Sequence, residues 1–61
     1  MSSTAILHEA QQLHDVSDRL ASLADLHPHL SEAILTISGS LRQTATLLKV
    51  LVATKMGPSL Y

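Results

Sequence analysis

Thr44-Ala45-Thr46-Leu47-Leu48-Lys49-Val50-Leu51-Val52-Ala53-Thr54-Lys55-Met56 is the stretch whose reading decides the fold. It reads as the second half of one long helix that begins near Pro28 or His29. Set Leu47 at the origin and advance about 100° per residue. Leu51 then falls at about 40°, Leu48 at about 100°, Val52 at about 140° and Val50 at about 300°. Upstream, Leu30, Ala33, Ile34, Ile37, Leu41 and Ala45 fall on the same side. The apolar arc spans roughly 200°, against the roughly 100° stripe of a helix packed on one side of a globule. One neighbouring helix cannot cover it, and each Leu or Ile left in water forgoes roughly 1.5–3 kcal/mol. Ser31, Arg42 and Lys49 form a polar strip, interrupted by Leu35 and Ala53.

The rest of the chain is short. With 61 residues it holds one domain. A domain of this size buries only about 60% of the surface its unfolded chain exposes and needs a further source of stability. There is no Cys and one aromatic, Tyr61. Disulfides and thiolate metal sites are therefore excluded, and oligomerisation remains. The formal net charge is −1, with 15% charged residues. That is too apolar for a disordered segment and too neutral for a nucleic-acid binder. The N-terminus lacks the basic start and apolar run of a signal peptide. Arg42, Lys49 and Lys55 keep every apolar stretch below the roughly 18 residues of a membrane span. The expectation is a soluble, cytoplasmic protein.

In chain order, residues 1–3 are a lead-in, and Ser2, Ser3 or Thr4 should cap the first helix. That helix is expected over about residues 4–26. Its apolar residues repeat every seven positions: Ile6, Leu13 and Leu20, then Val16 and Leu23, with small Ala10, Ser17 and Ala24 beside them. Such a repeat suits long helices packed at shallow angles. Glu9 breaks the pattern from the apolar side. Leu26-His27-Pro28-His29 is a corner, because a residue before proline avoids the helical conformation and proline suits a first turn. The second helix is expected over about residues 29–56. Glu32 favours its start, Lys55 its last turn, and Gly57 with Pro58 its end. Residues 57–61 are a tail.

A tight corner makes the helices antiparallel, with facing residue numbers summing to about 55. Leu13 then lies near Leu41 and Arg42, and Leu20 near Leu35 and Thr36. Residues 1–32 carry all five acids and residues 33–61 three of the four bases. Lys55 overhangs the first helix and reaches water. Glu9 is expected to find Lys49 or a cation of a second subunit.

The fold class expected is all-α: an antiparallel hairpin dimerising into a four-helix bundle. Ile34, Ile37, Leu41, Thr44, Leu47, Leu48, Leu51 and Val52 are the expected oligomer interface. Thr36, Ser38, Gly39, Ser40 and Thr44 make a small-residue patch. Glycine inside a helix costs about 1 kcal/mol relative to alanine, which a close crossing of two second helices at Gly39 would offset; the equal alternative is that Gly39 is tolerated at the edge of the polar side.

Chemistry is sparse. His8 and His14 project apart. His8, Gln12 and Asp15 share a face, as do His14 and Asp18, at exposed positions. Asp25, His27 and His29 at the corner are the only metal candidates, three borderline ligands without a fourth. There is no nucleophile–base spacing, phosphate loop or metalloprotease motif. Glu32 is the only acid of the second helix, which argues against a carboxylate-bridged metal pair. No enzyme activity and no cofactor are expected.

In size and topology the architecture resembles the small plasmid RNA-binding regulators built from two dimerised helical hairpins. That resemblance implies an RNA-binding face of basic residues and an aromatic on the first helix. Here that helix is acidic and has no aromatic, so nucleic acid is not an expected partner, and a regulator of that type is the lesser alternative. A membrane surface is not an expected partner either, since no Trp or Phe serves the interface. The function expected is that of a homo-oligomeric interaction or assembly module. The alternative is a heteromeric, chaperone-like accessory subunit that docks its second helix on another protein.

Overall fold

A computed structural model describes residues 2–56. Helix α1 spans Ser3–Leu26 and helix α2 spans Ser31–Leu51. A 3-10 turn, Pro28–Leu30, joins them, and a π-helical turn, Val52–Met56, extends α2. The two helices form a rod of 50 × 14 × 13 Å with a radius of gyration of 14.3 Å. A compact globule of this length would have a radius of about 10–11 Å.

Each boundary has a local cause. Ser2 is the N-cap: its hydroxyl accepts the Ala5 amide at 3.1 Å. His27 ends α1 in a non-helical conformation, as a residue before Pro28 should. Its amide donates to the Ala24 carbonyl at 3.3 Å, and its own carbonyl accepts from Leu30 at 2.8 Å, which tightens the corner. Glu32 lies in the first turn of α2, where a negative charge suits the helix dipole. The expected stop at Gly57 and Pro58 lies outside the described residues.

The register is the one expected from the corner. Ser17 and Ser38 sum to 55, and they touch directly: each hydroxyl reaches the other's carbonyl oxygen at 2.8 Å. The same sum pairs Ala10 with Ala45, Ala24 with Ser31, and Ser3 with Val52. These eight positions are buried or half-buried, and Ala10, Ser17 and Ala45 are fully inaccessible. Between the small layers lie large ones, half-buried: Ile6 with Leu48, Leu13 with Leu41, and Leu20 with Ile34. Spacings alternate three and four residues along both helices, the pattern of a seam between supercoiled helices. Small residues on small residues let the backbones approach closely. A serine side chain is one carbon long, so its bond to the facing carbonyl requires near contact.

One expectation is corrected. Ser38 does not belong to a patch that receives another α2; it is 4% exposed and closes the seam within the chain. Gly39 follows it around the helix by about 100° and is exposed, with nothing within 4 Å of where a Cβ would sit. Its lack of a side chain therefore accommodates no close approach inside the hairpin.

Candidate interaction face

The seam divides the hairpin's surface into two unlike sides. On a helix the residue before a seam residue and the residue after it project about 100° to either side. The Asp18–Arg42 ion pair, 2.9 Å long, identifies one side. Asp18 follows Ser17, and Arg42 stands one turn after Ser38, so both lie in the same rotational sense from the seam. The residues following the buried seam pairs are Thr4, Gln11, Asp18 and Asp25 in α1, and Glu32, Gly39, Thr46 and Ala53 beyond the corner. This side is mostly polar.

The opposite side holds the residues that precede those positions: Ser2, Glu9, Val16 and Leu23, then Leu30, Ile37, Thr44 and Leu51. Antiparallel packing brings the two sets to the same flank of the rod. The half-buried large layers border them, and Leu26 and Leu47 extend them. Among the described residues nine large aliphatics are exposed: Leu7, Leu23, Leu26, Leu30, Leu35, Ile37, Leu47, Val50 and Leu51. Six of these nine lie on this one flank; Leu7, Leu35 and Val50 lie elsewhere. On α1 the flank is creased into a groove lined by Val16, Arg19, Leu20, Ser22, Leu23 and Leu26.

Of the eight interface residues expected from sequence, Ile37, Thr44, Leu47 and Leu51 stand exposed on this flank, and Ile34, Leu41 and Leu48 are half-buried along it. Val52 is 6% exposed and is used up in the seam against Ser3. Val16, Leu23 and Leu26 of α1 belong to the same flank, although the sequence reading placed the interface on α2 alone. The seven-residue spacing of Val16 and Leu23, with Leu26 three residues further on, is the signal available in the sequence.

Thr44 fits an apolar flank because its hydroxyl donates to the Ser40 carbonyl at 3.0 Å. Thr36, Thr46 and Thr54 make the same bond one turn back. Such threonines need no outside partner when covered. No buried side-chain polar atom among the described residues lacks a hydrogen-bond partner.

Glu9 does not pair with Lys49. It is exposed, and the one ion pair among the described residues is Asp18–Arg42. The reason is geometric: Lys49 lies two turns beyond Arg42 on the polar side, whereas Glu9 lies two turns before Val16 on the apolar side. The shared-face contacts of α1 form in part: Gln12 bonds His8 at 3.1 Å, but Asp15 bonds Gln11 instead. At the corner, the His27 and His29 rings meet edge to face with centroids 6.4 Å apart. Asp25 does not complete a trio with them; among the described residues no three His, Asp or Glu side chains gather for a metal. No helix of the described residues is long and apolar enough to cross a membrane.

Comparison with protein-family models, with curated proteins and with solved structures finds no match to this chain.

Proposed function

We propose that the chain is a non-enzymatic self-association module: two hairpins pack apolar flank to apolar flank as a homodimeric four-helix bundle. The observation that supports this most is the concentration of six exposed large aliphatics on one side of a rod whose other side is mostly polar. Covering each half-exposed Leu or Ile is worth roughly 1 kcal/mol. The chain's own core is slight, because among the described residues the buried apolar side chains are three alanines and Val52. A second copy offers the same flank at the same length, which is the self-complementarity a two-fold interface needs. The flank also runs along both helices, which favours a whole hairpin as its cover over a partner that docks on α2 alone.

The test is the mass of the purified chain in dilute buffer by light scattering. A dimer with cooperative unfolding is expected. A well-folded single subunit would overturn the reading, and a molten monomer would favour an accessory subunit that folds on another protein.

A further inference from the structure

The apolar flank of α1 carries two charged residues, Glu9 and Arg19. Glu9 precedes the seam residue Ala10, and Arg19 lines the apolar groove beside Leu20 and Leu23. Both are exposed, and neither has an ion-pair partner among the described residues. From these two charges we infer the orientation of the dimer: the hairpins lie antiparallel, corner against open end, with Glu9 of each copy paired to Arg19 of the other. This inference rests on the dimeric reading above.

Identical helices packed antiparallel face each other at residue numbers of constant sum. Pairing 9 with 19 sets that sum at 28 and puts the two-fold axis beside residue 14. Residue 14 is also the middle of α1, Ser3–Leu26, so the two rods overlap along their whole length. The hairpin register of 55 carries the same axis to Leu41 on α2. There Leu41 meets its own copy, and Ile34 meets Leu48 of the second copy. The charge pairing did not require either coincidence.

The alternative dimer has both hairpins pointing the same way, with α1 against α2 of the second copy. Glu9 would then sit level with Thr46, beside Leu47 and Leu48, and Arg19 level with Thr36, beside Ile37. Neither would meet an opposite charge on that flank. Two unpaired charges per chain would be drawn into an apolar contact, which is strongly unfavourable.

Charge reversal and a distance measurement test this together. Glu9→Arg alone and Arg19→Glu alone each set like charges opposite one another and should weaken association about tenfold or more. The double variant Glu9→Arg/Arg19→Glu restores opposite charges and should return the association to within about threefold of the original. Circular dichroism verifies that each variant is helical. The chain has no native Cys, so a nitroxide on Asp25→Cys labels one site per copy. The antiparallel dimer separates the labels by 22 residues, roughly 33 Å along the axis. The parallel dimer holds them level, about 20 Å apart across two helix diameters. The longer distance with rescue by the double variant supports the inference. A dimer with the shorter distance, or without rescue, overturns the orientation and leaves dimerisation standing. A monomer overturns both.

Discussion

At the scale of the residue, the seam depends on side chains too small to contribute much apolar burial. Ser17 and Ser38 show how it works. Three contacts of 2.8 Å join them, two hydroxyl-to-carbonyl and one hydroxyl-to-hydroxyl. Each hydroxyl has one proton, so two of the three act as hydrogen bonds at a time. Ser17→Ala leaves Ser38 donating to the residue-17 carbonyl and should cost about 1 kcal/mol. Ser17→Leu meets the facing backbone and forces the helices apart; its cost should be about 2–3 kcal/mol, the larger of the two. Urea unfolding midpoints of both variants decide this, and an equal or smaller loss for leucine would show that the seam is not tightly closed. Gly39 makes the opposite case. With open space where its Cβ would be, Gly39→Ala should raise helix stability by about 1 kcal/mol and leave self-association unchanged. Weakened self-association in that variant would instead place a close crossing of two second helices there.

At the scale of the element, the start of α1, the corner and the register of the helices are legible in the sequence because each has a local chemical cause. A serine cap, a proline after His27 and a tight corner fix where α1 starts and stops and which residues face one another. The sides were less legible. Ser38, Gly39 and Ser40 look like one patch in the sequence, yet at about 100° per residue they occupy three directions. Glu9 and Lys49 stand at nearly the same height but on opposite sides of the seam, which no one-helix projection reveals. The apolar arc of α2 divides between the seam and the flank, and the flank on α1 is hard to read because Val16 and Leu23 belong to the same seven-residue repeat as the seam. The element scale also ranks two polar contacts. The Ser2 cap satisfies an otherwise free amide, so Ser2→Ala should cost about 1 kcal/mol. The Asp18–Arg42 pair is short, but its side chains are 67% and 54% exposed, so Arg42→Ala should cost well under about 1 kcal/mol. Thermal unfolding followed by far-UV circular dichroism should rank the cap above the ion pair.

At the scale of the whole molecule, two aliphatic residues separate folding from association. Ile37 is 56% exposed and Leu35 is 50% exposed, so burial within the chain does not distinguish them. They lie two residues apart on α2, yet Ile37 precedes Ser38 on the apolar flank and Leu35 stands one turn before Gly39 on the polar side. Replacing either with Glu should leave the helical signal of a concentrated sample similar, because neither side chain belongs to the seam. If two chains cover the apolar flank, unfolding involves dissociation, and the melting temperature must rise with chain concentration. Ile37→Glu places a charge in the covered surface and should abolish that dependence, giving a monomer that melts at a lower, concentration-independent temperature. Leu35→Glu should keep the dependence of the unaltered chain. Equal effects of the two substitutions would mean that the flanks are not distinguished in solution, and that the asymmetry of the rod has no bearing on what the chain binds.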